Sequence, residues 1–218
     1  MFTGIIQSVG RIQRIEPRGG DVLLSIAVGK LDMGDVQLGD SIAVNGVCLT
    51  AVRFDAQHFE ADVSVETLAV TTLKNWQVGT RVNLEKALTP TTRLGGHLVS
   101  GHVDGIGEII SRRHAARADQ FTVRVPHSIK RYIAHKGSVC VDGISLTVNA
   151  VNDDCFELTL VPHTQAETNA ADWQPGTLVN IEVDVLARYL ERLLQAGDGA
   201  ANGVTESLLA RAGFTGVR

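Results

Sequence analysis

The chain has 218 residues, 44% hydrophobic and 20% charged, with 22 glycines and ten aromatics made up of six Phe, two Trp and two Tyr. That composition suits a globular protein with a sizeable core and excludes disordered, collagen-like and disulfide-miniprotein classes. Twenty basic residues against twenty-four acidic ones give a formal net charge of −4, the wrong sign for a chain that works on nucleic acid or anionic lipid, so small molecules are the expected partners.

Residues 1–7 lack the basic and long apolar regions of a signal peptide, and no stretch approaches the ~18 apolar residues of a membrane span. A cytoplasmic location and no membrane partner are expected. Cys48, Cys140 and Cys155 form no C-x-x-C pair, which leaves a disulfide framework and a structural zinc site without their usual spacing.

In chain order, alternating apolar patterns predict strands at 5–15, 22–28, 59–65 and 81–84. Between the second and third, Ser41 to Val52 reads as strand, turn, strand around Asn45-Gly46, the dipeptide that favours a tight hairpin. The same order then recurs at 103–110, 121–125, 155–161 and 178–183, with a second hairpin from Ser138 to Val148 around Asp142-Gly143. The recurrence has a constant offset of 97 residues without a gap: Gly4 falls on Gly101, Gly46 on Gly143, Leu49-Thr50 on Leu146-Thr147, Trp76 on Trp173 and Glu85 on Glu182. One offset held over some eighty residues is a tandem duplication. The expected fold is all-β: two tandem small, closed, antiparallel barrels of Greek-key, six-stranded form plus a C-terminal helix. The expected domains are 1–97, in which 89–97 is a linker, then 98–185, then 186–218. Leu186, Tyr189, Leu190, Leu193 and Leu194 share one helical face, which suits either packing on the helix's own barrel or oligomer formation. A further short helix at 205–212 and a mobile end of about twenty residues are also expected.

Two like-shaped halves suit two like-shaped ligands, and their differences give those ligands different roles. Cys48 stands opposite Ser145, Ile5 opposite His102, Gly39 opposite Lys136, and Ala87 opposite Asp184. The last three exchange an apolar or backbone-only position for an ionisable one.

The motifs Met1-Phe2-Thr3-Gly4-Ile5, Asn45-Gly46-Val47-Cys48-Leu49-Thr50, Gly95-Gly96-His97-Leu98-Val99-Ser100-Gly101-His102-Val103-Asp104, Asp142-Gly143-Ile144-Ser145-Leu146-Thr147 and Pro162-His163-Thr164 together resemble the riboflavin synthase family of the alpha-chain type, over residues 1–195. The resemblance implies a transferase that dismutates two molecules of 6,7-dimethyl-8-ribityllumazine into riboflavin and 5-amino-6-(D-ribitylamino)uracil by four-carbon transfer, without cofactor or metal. It also implies a homotrimer held by C-terminal helices, with association with lumazine synthase as a further possible partner. Holding two rings face to face and managing protons is then the protein's main task.

On that resemblance, backbone at Gly4, Ile5 and Ile6 and at Gly101, His102 and Val103 bonds the heterocycle edges. Cys48 and Thr50 flank Leu49, and Ser145 and Thr147 flank Leu146; by the period-two rule each polar pair shares a face, expected to point into its barrel. The segments Asp62, Val63, Ser64, Val65, Glu66, Thr67 and Leu160, Val161, Pro162, His163, Thr164 frame pteridine and ribityl hydroxyls. Lys136 reaches a neighbouring subunit's ligand. His102 shuttles protons, with Asp184 or Ser41 orienting it or the attacking water. Ser145 and Thr147 complete the candidate catalytic set. Cys48 either adds to the lumazine C7 or stabilises a hydroxide adduct, and core packing is its plain alternative. Asp184 also suits a cap on the following helix. His97 and His102, five apart in a glycine-rich loop, lack metal-ligand spacing, and Gly101 to Gly107 lacks the helix of a dinucleotide loop. A non-catalytic lumazine or flavin antenna or carrier of the same fold is the alternative function.

Overall fold

The computed structural model describes residues 1–197 and 211. The first repeat runs β1 (Ser8–Arg18), β2 (Asp21–Ala27), β3 (Ser41–Val44), β4 (Val47–Thr50), β5 (Arg53–Phe54), β6 (His58–Val63), α1 (Val65–Val70) and β7 (Arg81–Lys86). The second runs β8 (Gly105–Ala115), β9 (Ala118–Arg124), β10 (Ser138–Val141), β11 (Ile144–Thr147), β12 (Ala150–Asn152), β13 (Cys155–Leu160), α2 (Pro162–Glu167) and β14 (Leu178–Val183). Each repeat is one antiparallel seven-stranded sheet curled into a half-barrel, in the orders β4-β3-β7-β1-β2-β6-β5 and β11-β10-β14-β8-β9-β13-β12.

The closed six-stranded barrel is therefore corrected to an open seven-stranded half-barrel. Residues 47–54 form two strands because the chain turns at Ala51-Val52. Ala51 N donates to Asp40 O and Val52 N to Glu60 O, both at 2.9 Å, so the run leaves β3 for β6. Two consecutive pieces of one run cannot pair with each other, so β4 and β5 remain as the two edges. The curl has a local cause as well. Register shifts between Ile12 and Arg14 in β1, and between Ile109 and Ser111 in β8, place a bulge at the same repeat position, and bulges sharpen twist.

Both hairpin turns take left-handed backbone at both central residues, φ 45° and 77° at Asn45-Gly46 and 47° and 82° at Asp142-Gly143, as two-residue primed turns require. The turns touch back to back: a Cβ on either glycine would lie 2.8 Å from the other's backbone nitrogen. Inward-facing residues fill one core per repeat, including Ile12, Ile26, Val44, Leu49 and Phe59 in the first and Ile109, Val123, Val141, Phe156 and Trp173 in the second. Trp173 meets Phe121 edge-on at 5.6 Å, a favoured aromatic geometry.

The strands expected to reach 65 and 161 stop short. Ser64 Oγ accepts from Thr67 N at 3.2 Å and starts α1, and Pro162 opens α2 at a position where its missing N–H is harmless. The strand expected from Ile5 begins at Ser8, and the Thr3, Gly4 and Ile5 amides are bonded to side chains instead, as described below. A separate compact unit begins at Val185. In it, α3 (Val185–Gly197) is amphipathic, with Leu186, Tyr189, Leu190, Leu193 and Leu194 exposed. The expected helix at 205–212 and the expected mobile end lie outside the described residues, save Arg211. Among the described residues no helix is long and apolar enough to cross a membrane.

Candidate active site

Each repeat lends its leading segment to the other. Phe2 and Val99 exchange backbone hydrogen bonds, Phe2 N to Val99 O at 2.7 Å and Val99 N to Phe2 O at 3.1 Å. Beyond that crossing, Ser145 N donates to Gly4 O at 2.8 Å and Cys48 N to Gly101 O at 2.9 Å. Ile6 packs against the second core and Val103 against the first. Glycine is required at both contacts: a Cβ on Gly4 would lie 2.6 Å from Ser145 Cβ, and one on Gly101 2.6 Å from Cys48 Cβ. Phe2 and Val99, with Ala43 and Cys140, form a small buried cluster to which Cys48 adds. Burial among carboxylates pushes the Cys140 thiol well up.

This crossing sorts the expected residues into two groups. One joins Cys48 and Thr50 of β4 to Gly101, His102 and Val103. The other joins Ser145 and Thr147 of β11 to Gly4, Ile5 and Ile6. Strand β6, which ends at Val63, lies against β4, and β13, which ends at Leu160, lies against β11. Ser41 pairs with Thr50 and Ala43 with Cys48 across β3 and β4, so Ser41, Cys48 and Thr50 share one face. Ser41 also lines a cavity of about 350 Å³ with Gln7, Asp40, Lys86 and Thr92.

That face is the outer one, which corrects the expectation that Cys48, Thr50, Ser145 and Thr147 point into their barrels. The barrel interior takes Val47 and Leu49, at 3% and 4% exposure, while Thr50 and Thr147 are exposed. Val63 and Leu160 are likewise core residues at 1%, so they and Leu49 offer a ligand backbone only. Leu146 is half-buried against the second core. Asp62, Ser64, Val65, Glu66 and, in the other repeat, Val161, Pro162 and His163 are exposed. Thr67 and Thr164 are half-buried, and their carbonyls accept from Thr71 and Thr168 hydroxyls at 2.6 and 2.7 Å. Lys136 is exposed before β10 in left-handed backbone, φ 63°, where its twin is Gly39.

Two buried carboxylates anchor the crossing segments. Glu85 Oε1 accepts from Thr3 N and Oγ1 at 2.7 and 2.6 Å, and Oε2 from Gly4 N at 2.9 Å. Glu182 repeats the pattern with Ser100 N and Oγ at 2.6 and 2.7 Å and Gly101 N at 2.9 Å. Burial pushes both carboxyls up, and these donors oppose it.

His97, which sequence reasoning placed in a linker, is 8% exposed, and its Nδ1 shares a 2.7 Å hydrogen bond with Ser145 Oγ. Burial pushes the imidazole down, and the Asp184 carboxylate opposes this. The Asp184 charge is thus felt at His97. His102 is exposed, and its backbone N donates to Ser100 Oγ at 3.2 Å. Position 97 has no twin, since it falls before residue 1 in the repeat, so comparison of the halves could not flag it.

Between the back-to-back turns, Asn83 Nδ2 donates to Asp142 O and Asn180 Nδ2 to Asn45 O, both at 2.9 Å. Asn83 N donates to Asn45 Oδ1 at 2.7 Å and Asn180 N to Asp142 Oδ1 at 2.8 Å. Burial pushes the Asp142 carboxyl up to about 7, with the Asn180 amide and the Asn169 and Trp173 side chains holding it back.

Two curled sheets with crossed leaders and matching outer-face residue groups define a protein of two like repeats. The lumazine binding domain family matches the chain twice, at residues 3–87 and 100–184. The riboflavin synthase of Photobacterium phosphoreum is 52% identical over 216 residues, 98% of this chain and 99% of that protein. That of Bacillus subtilis (strain 168) is 39% identical over 216 residues, 98% and 100% of the two. The chain belongs to the riboflavin synthase family, whose lumazine-binding repeat it carries twice. Among solved structures, LumP complexed with riboflavin aligns with TM-score 0.78 at 24% identity, over 84% of this chain and 99% of that one. LumP complexed with 6,7-dimethyl-8-(1'-D-ribityl) lumazine aligns with TM-score 0.76 at 23% identity over the same shares. At that identity they show the fold.

Proposed function

We propose that the chain catalyses the riboflavin synthase reaction, as a transferase acting on two copies of 6,7-dimethyl-8-ribityllumazine. One copy gives four carbons to the other, forming riboflavin and 5-amino-6-(D-ribitylamino)uracil. Atoms and electrons balance between the two copies, so the protein's share is to orient two rings and move protons. The carrying observation is that both repeats keep a full outer-face group, Cys48 and Thr50 with Gly101 to Val103, Ser145 and Thr147 with Gly4 to Ile6.

In this reading His102 moves protons in the first group and Ser145, backed by His97 and Asp184, holds one in the second. Backbone at Gly4, Ile5, Ile6, Gly101 and Val103 borders the rings. Ser41 and Cys48 line the first site, and the polar groups of 62–67 and 160–164 meet the ribityl chains. Lys136 acts toward a neighbouring subunit. The domains are 1–97, 98–185 and 186–218, and the exposed apolar face of α3 supports a homotrimer. The protein works in the cytoplasm, where lumazine synthase is a fitting partner as the source of the substrate.

Purified protein given the lumazine alone is expected to produce riboflavin, followed by absorbance and chromatography. Binding without turnover would make it a carrier or antenna instead.

A further inference from the structure

We propose that Glu182 is the positioning residue for His102, holding the backbone from which that imidazole acts; this rests on the riboflavin synthase reading. Glu182 is 4% exposed at the end of β14. Its two oxygens collect Ser100 N, Ser100 Oγ and Gly101 N at 2.6, 2.7 and 2.9 Å. The Ser100 hydroxyl passes the grip on, accepting from His102 N at 3.2 Å. Three successive amides therefore converge on one carboxylate, directly or through one hydroxyl.

Only an ionised carboxylate accepts at both oxygens without bringing a donor of its own. A glutamine would set an NH₂ against one of these N–H groups. Ser100 and Gly101 lead directly into His102, so the imidazole stands on the anchored backbone. The need for an anchor is local. Gly101 lies in left-handed backbone, φ 82°, against Cys48 with no room for a side chain, and His102 is exposed. No side-chain packing at Gly101 can fix where His102 sits, so the buried carboxylate does.

The molecule supplies its own control. Glu85 grips Thr3 and Gly4 in the same pattern, and Thr3 Oγ1 accepts from Ile5 N at 3.2 Å. The two glutamates do the same structural work, but one carries an imidazole and the other an isoleucine.

The test compares Glu182→Gln with Glu85→Gln in the full chain, by melting temperature and by kcat and KM for the lumazine. Similar losses of melting temperature are expected in both. Glu182→Gln is expected to lower kcat about tenfold or more with KM within about threefold, whereas Glu85→Gln, which loosens ring-bordering backbone that carries no acid–base group, is expected to raise KM more than it lowers kcat. In a His102→Gln background, Glu182→Gln is expected to cost less than about twofold more, since no imidazole remains to be placed. Equal kcat losses in the twins, or full additivity with His102→Gln, overturn the assignment while leaving the reaction intact. If Glu182→Gln does not fold, Ser100→Ala removes the linking hydroxyl and takes its place in the same cycle. A wild-type chain that binds lumazine and forms no riboflavin overturns both readings before any variant is compared.

Discussion

The two repeats share strand order, turn geometry, bulge position and glutamate anchor, yet their outer-face sites differ chemically. The first sets Cys48 against Gly101, next to His102; the second sets Ser145 against Gly4, next to Ile5, and against the buried His97. Crossed leaders explain how this arises. Because 2–6 serve the second sheet and 99–103 the first, a change in one repeat's leader alters the other repeat's site. Duplication thus yields two like frameworks, and on the proposed function a handful of substitutions would give their occupants unlike proton chemistry.

The comparison breaks most visibly at the assembly level. If the proposed homotrimer is held by α3, which exposes Leu186, Leu190 and Leu193, deleting residues from Val185 onward is expected to leave only monomers by light scattering; persistent trimers would refute its role. Within the sites, His102→Gln should lower kcat on the order of a hundredfold, the usual worth of a placed acid–base group, with little change in lumazine affinity. Equal losses in turnover and binding would sink the shuttle role. His97→Asn should cost about tenfold in kcat, and Ser145→Ala added to it little more, if the two act as one unit. Additive losses would separate them.

The remaining difference concerns stability. Burial pushes the Asp142 carboxyl from its ordinary 3.8 up to about 7 in the folded chain. Between those values the folded state holds a proton that the unfolded state has released, so stability falls as pH rises from about 4 to about 7, by at most about 4 kcal/mol. Asp142→Asn, which restores the twin's Asn45, should flatten that slope in urea melts at pH 5 and 8. An unchanged slope would show that the carboxyl is ionised throughout.

The duplication was legible because its register runs gapless, and the hairpins because Asn45-Gly46 and Asp142-Gly143 state their turn chemistry outright. The parity of Cys48 with Thr50 was legible too. Its sign was misread, although Val47 and Leu49 on the alternate face are the more apolar pair and claim the interior. Ser64 and Pro162 carried readable helix-start signals inside what looked like strand. The break at Ala51-Val52 rests on backbone bonds to Asp40 and Glu60 that the continuous apolar run did not announce, and the crossing of the leaders depends on the other repeat, far away in sequence. His97 was hidden by its glycine neighbours, which mark a linker and also let the chain approach Ser145.

The central claim is that two copies of one substrate react with each other on this chain. Counting products after incubation with the lumazine alone tests it most directly. One riboflavin and one 5-amino-6-(D-ribitylamino)uracil for every two lumazines consumed is the result expected. Riboflavin in any other ratio, or lumazine bound and recovered unchanged, would contradict it.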